Sequence, residues 1–157
     1  ENLNKIVQNL NLDVLFTSYL HRAEETAALI NTNLPEPVQI LHDSRLRERD
    51  FGSLTGKTYT DWDVILPDNR DRAFGGENVE DVRQRTISAI LDIIQNFDHR
   101  NIGIITHNGV IRLLLFHFPE IPRIYRGAES KKDIANADIY EWEITEGKIA
   151  NLKSLLK

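Results

Sequence analysis

The chain has 157 residues, with 19 Lys+Arg against 24 Asp+Glu, a formal net charge of −5 and no cysteine. One domain of this length folds without a disulfide or metal staple, and the missing thiols exclude a cysteine nucleophile and a Cys-ligated metal site. The acidic balance argues against nucleic-acid binding, which rests on clustered Lys/Arg, and no apolar run approaches the ~20 residues of a membrane span, so a cytoplasmic protein without nucleic-acid or membrane partners is expected.

Leu3, Ile6, Val7 and Leu10 recur at helical spacing and read as the last turns of an amphipathic helix. Asp13 to Ser18 is a short apolar run of strand formers that feeds a helix from about Leu20 to Asn31, the repeating unit of an α/β fold. Beyond Pro35 and Pro37, Val38 to Leu41 reads as a second strand. Ser44 to Gly76, rich in glycine, reads as a long functional loop with one short helix. Val79 to Phe97 is a strong helix, with Val82, Thr86, Ala89, Ile90, Ile93, Ile94 and Phe97 on one apolar stripe and Glu77, Glu80 and Asp81 suited to its positive end. Asn101 to Thr106 reads as a strand buried on both faces, and Val110 to Phe118 as a helix. Ala137 to Thr145 and Lys148 to Leu155 alternate around Glu146-Gly147, as a hairpin does. Without a repeat or linker, residues 1–157 form a single α/β domain in this reading.

Ligands of open α/β sheets bind beyond the carboxyl ends of the strands. Arg22 stands there at a helix start, where a cation is unfavourable unless an anion lies between it and the helix; a solvated arginine is the plain alternative. His107, at the strand-to-helix turn Thr106-His107-Asn108-Gly109, is either a capping or packed ring or a catalytic group. Glu48 is either an exposed carboxylate among Arg47, Arg49 and Asp50 or an acid of the site.

Four segments in order carry a more specific signal. Ser18, Arg22, Ala23, Thr26 and Ala27 form a Ser-x-x-x-Arg-Ala-x-x-Thr-Ala pattern, and Leu46, Glu48, Gly52 and Gly56 a Leu-x-Glu-x-x-x-Gly-x-x-x-Gly pattern. Gly75-Gly76-Glu77-Asn78 and Thr106-His107-Asn108-Gly109 complete the set. The series resembles the histidine phosphatase superfamily, the phosphoglycerate mutase-like phosphatases, with Asn78 in place of a serine and Asn108 in place of a glycine.

The resemblance implies a three-layer α/β/α sandwich with a mostly parallel sheet whose first strand is missing from these residues. It implies a phosphomonoesterase working through a phosphohistidine on a small phosphorylated substrate, with no metal or other cofactor. Arg22 would clamp the phosphoryl oxygens through its planar fork. His107 would stabilise the charge on the transferring group, and the Asn108 backbone N–H would add a donor. Glu48 would be the general acid that protonates the leaving alcohol. Lys57, Arg70, Arg72, Arg123, Arg126, Lys131 and Lys132 read as solvated loop charges rather than substrate contacts, and Asn136 as a pocket residue.

The Arg-His-Gly triplet that holds the family's nucleophile is nowhere in the sequence, and none of His21, His42, His99 or His117 has the setting to replace it. The expectation is that the natural protein is longer by roughly 25–40 residues at ordinary element lengths. A true N-terminal loss leaving a non-catalytic phosphate-binding relative, or an unrecorded disordered segment, are the alternatives. The short span between Gly56 and Gly75 favours phosphatase over phosphoglycerate mutase by the same resemblance. The oligomeric state is not legible.

Overall fold

β1, Val14–Thr17, is buried along its whole length. It lies between two parallel neighbours, β2 (Gln39–His42) and β3 (Ile102–Ile105), giving the order β2-β1-β3. The computed structural model describes residues 3–57, 74–97, 100–117, 139–145 and 148–155. The 58–73 stretch, Arg70 and Arg72 included, lies outside them, as do His99, the cations between Arg123 and Lys132, and Asn136.

Side chains alternate across a strand, so β1 feeds both faces of the sheet. Val14 and Phe16 join Leu46, Val82, Ala89, Ile90, Ile93, Val110 and Leu114 in one buried cluster. That face is covered by α3 (Val79–Asn96) and α4 (Asn108–His117). α1 (Leu3–Gln8) and α2 (His21–Asn33), which buries Ala23 and Ala27, form the other layer. These are the three layers expected. A separate antiparallel hairpin, β4 (Tyr140–Thr145) with β5 (Lys148–Ser154), carries a bulge between Glu143 and Ile144 and packs Trp142 on the core.

The apolar stripe of α3 is the buried one, with Val82, Thr86, Ala89, Ile90 and Ile93 inside. Its start is fixed by a capping box: Asn78 Oδ1 accepts from Asp81 N–H at 2.7 Å and Asp81 Oδ2 from Asn78 N–H at 3.1 Å. Asparagine therefore does the capping chemistry of the serine it replaces. One expectation is corrected: β3 is half-buried throughout, because among the described residues it pairs only with β1, and the continuously buried strand is β1. Among the described residues the loop after β2 holds two 3-10 turns, Ser44–Leu46 and Gly52–Leu54, and the rest of the loop in which one short helix is expected, 58–73, lies outside them.

Candidate active site

Two parallel strands end side by side, Thr17 opposite Ile105, and the residues that leave them meet. Ser18, fully buried, places its Oγ 2.8 Å from His107 Nε2. The same oxygen accepts Leu20 N–H at 3.3 Å at the turn into α2. His107 is 6% exposed, and its carbonyl accepts Ile111 N–H at 2.9 Å to start α4. Burial, helped by the positive charges of Arg22 and Arg85 and opposed by Glu48, holds the His107 imidazole below its ordinary value. It is therefore neutral at pH 7.

Arg22 lies in the first turn of α2 with its side chain exposed. Its guanidinium has no hydrogen-bond or ion-pair partner among the described residues. Asn108 is the first residue of α4 and its Oδ1 accepts Arg112 Nε–H at 2.7 Å.

Glu48 comes to the same place from the loop after β2. Its Oε1 accepts Arg49 N–H at 2.9 Å, and its Oε2 lies 3.4 Å from Gly109 N in the first turn of α4. A Cβ on Gly109 would fall 2.6 Å from Glu48 Oε1, so glycine is required there to seat the carboxylate. The structure thus brings Arg22, Glu48, His107 and Asn108 to one end of the sheet. Lys57 is exposed. His21 and His42 are occupied elsewhere: His21 faces Glu25 at 3.3 Å, and His42 faces Glu24 at 3.2 Å and stacks on Tyr19.

Three residues of this region have no place in the site as the sequence reads it. Ser18 stood in its motif without a partner, because the 89 residues to His107 hide the contact. Glu77 was assigned to the dipole of α3. It turns instead to the Glu48 loop, where Oε1 accepts from Arg47 Nη2 at 2.6 Å and Oε2 from Asp50 N–H at 3.0 Å. Burial would push the Glu77 carboxyl up, but hydrogen bonds from Arg85 and Asp50, with the charges of Arg85 and Arg47, hold it below its ordinary value. Arg85 itself is nearly buried, its side chain 11% exposed. A sequence signal existed: Arg85 stands three residues after Val82 and four before Ala89, so helical spacing puts a cation at the rim of the apolar stripe.

Among the described residues no group of three His, Cys, Asp or Glu side chains could hold a metal ion. None of the described helices is long and apolar enough to cross a membrane.

The sequence model of the histidine phosphatase superfamily (branch 1) matches residues 1–154. The chain is 28% identical over 145 residues to a 2,3-bisphosphoglycerate-dependent phosphoglycerate mutase of Cytophaga hutchinsonii, covering 85% of this chain and 64% of that protein. It is 27% identical over 154 residues to the adenosylcobalamin/alpha-ribazole phosphatase of Escherichia coli, covering 85% and 73%. Other curated relatives are matched over roughly half their length. Among solved structures, Bacillus stearothermophilus YhfR superposes with a TM-score of 0.74 at 24% identity, covering 94% of this chain and 75% of that one, a likeness of fold.

Proposed function

As this chain belongs to the histidine phosphatase superfamily (branch 1), we propose that the site is the phosphate-binding and proton-donating part of a phosphomonoesterase acting on a small phosphorylated molecule. One observation carries the reading: the buried Ser18–His107 pair lies where the unpartnered charge of Arg22 acts and where Glu48 is seated on Gly109. An incoming phosphoryl dianion opposes the burial and the Arg22 and Arg85 charges that hold the His107 imidazole below its ordinary value. The imidazole then takes up a proton as the anion binds, and Arg22 and His107 share the charge. Asn108 N–H adds a donor at the start of α4.

In the reaction the phosphoryl group passes from the alcohol oxygen to a histidine, and Glu48 gives its proton to the departing oxygen. Water then attacks phosphorus, Glu48 takes the water's proton, and phosphate leaves. The accepting histidine stands in an Arg-His-Gly triplet in the superfamily, and the 157 residues contain none. The roles proposed here are therefore those of Arg22, Glu48, His107 and Asn108 alone.

The experiment is turnover of β-glycerophosphate, whose alkoxide must be protonated as it leaves, by the protein translated from its full coding sequence. Glu48→Gln and His107→Ala should each lower kcat by about 100-fold or more. Turnover that survives both substitutions refutes the roles. Phosphate binding by the unsubstituted protein without turnover marks a non-catalytic binder instead.

A further inference from the structure

The segment that carries Glu48 has no helix or strand of its own beyond the turn Ser44–Leu46, yet four successive carbonyls in it are bound by side chains from outside. Arg85 Nη1 donates to Arg45 O at 2.5 Å and to Arg47 O at 2.9 Å, and Nη2 to Glu48 O at 3.2 Å. Thr106 Oγ1 donates to Leu46 O at 2.7 Å. The two remaining Arg85 donors go to Glu77, Nε to Oε1 at 2.7 Å and Nη2 to Oε2 at 3.0 Å. All five guanidinium N–H groups are thus in use, in a planar fork that no lysine can reproduce.

We propose that Arg85, held in orientation by Glu77, is a positioning residue that aims the Glu48 carboxyl at the leaving oxygen. The inference rests on the reading of Glu48 as the general acid. The carbonyls that Arg85 holds include those of Glu48 and of the residue before it, so they set the direction of the Glu48 Cα–Cβ bond. Arg85 projects from α3, whose neighbouring Val82, Thr86 and Ala89 are buried. Thr106 adds a tether from the residue directly before His107. The acid and the phosphate-binding histidine are thereby referred to the same rigid frame, as a proton transfer across hydrogen-bond distance requires.

The discriminating readout is the leaving group. p-Nitrophenolate departs with little need of a proton, whereas the alkoxide of β-glycerophosphate needs one. In the full-coding-sequence protein, Arg85→Lys should lower kcat/KM on β-glycerophosphate, which reports the step that releases the alcohol, by about 10- to 100-fold, while kcat/KM on p-nitrophenyl phosphate stays within about threefold. Glu77→Gln, which keeps the shape of the side chain, should show the same selectivity if Arg85→Lys fails to fold. Adding either change to Glu48→Gln should produce no further leaving-group effect. An equal loss of kcat/KM on both substrates overturns the positioning role. If Glu48→Gln itself is indifferent to the leaving group, the acid assignment fails, whatever the Arg85 variant does.

Discussion

Ser18 Oγ and His107 Nε2 lie 2.8 Å apart in the core although 89 residues separate them in the chain. Neither group is left unsatisfied, which is how a polar pair is tolerated where water is excluded. Ser18→Ala removes the hydroxyl and leaves a buried imidazole nitrogen without a partner. A loss of about 1–3 kcal/mol in unfolding free energy is expected, measured by urea denaturation at pH 7.5, and no loss would show that the bond contributes nothing.

The His107 imidazole is held below its ordinary value by burial and by Arg22 and Arg85, and the sign for stability follows. Above about pH 6.5 the ring is neutral in both folded and unfolded chains. As the pH falls below that point, the unfolded chain takes up a proton that the folded chain does not, so stability declines until the folded value is passed. Urea midpoints at pH 7.5 and 5.5 should therefore fall further for the unsubstituted protein than for His107→Asn. Equal falls would mean that the ring titrates as in a free peptide.

Gly109→Ala should separate stability from activity. Alanine is the better helix former by about 1 kcal/mol, and the three atoms nearest to its methyl are all in the carboxyl group at the far end of the Glu48 side chain. Thermal unfolding should stay within about 1 kcal/mol of the parent, while phosphatase turnover by the full-coding-sequence protein drops about 10- to 100-fold as the carboxyl is displaced. A variant that keeps its turnover places Glu48 outside the reaction.

Gly52 and Gly56 both have positive φ, +55° and +81°, but their surroundings differ. A Cβ on Gly52 would lie 2.1 Å from the Phe74 carbonyl oxygen, whereas one on Gly56 meets nothing within 4 Å. Gly56→Ala should cost only the left-handed conformation, about 1–2 kcal/mol. Gly52→Ala must also push apart two backbones joined by Glu77 N–H donating to Asp50 O at 2.8 Å. Chemical denaturation should rank Gly52→Ala clearly below Gly56→Ala.

Glu77 carries the acid limb of the same argument. Its folded value lies below that of the unfolded chain, so the stability it contributes is complete above about pH 4.3 and is lost as the pH falls through the folded value. At pH 7, Glu77→Ala strands the nearly buried Arg85 charge, a change that typically costs about 3–5 kcal/mol. Acid titrations of unfolding free energy should then be shallower below pH ~4.3 for the variant than for the parent. Identical slopes would assign the acid limb to other carboxylates.

The order of elements was legible because each has a local cause: the apolar run of β1, the 3.6-residue stripe of α3. The four motifs added the fold family and placed Arg22, Glu48, His107 and Asn108 in the right order. Periodicity misjudged β3, since an apolar strand is buried only as far as its neighbours cover it. It also set Glu77 against the helix dipole, when two arginines and a backbone N–H hold it in the Glu48 loop.

By itself, then, the sequence determined which elements form and which residue types stand at strand ends, because hydrophobic period, caps and turn glycines act over a few residues. Only the tertiary structure decided that Ser18 meets His107, that Gly109 makes room for Glu48, and that Arg85 holds the loop between them. Those contacts join segments tens of residues apart, and they arise when burial of the apolar faces of β1, α3 and α4 carries the polar groups between them into contact.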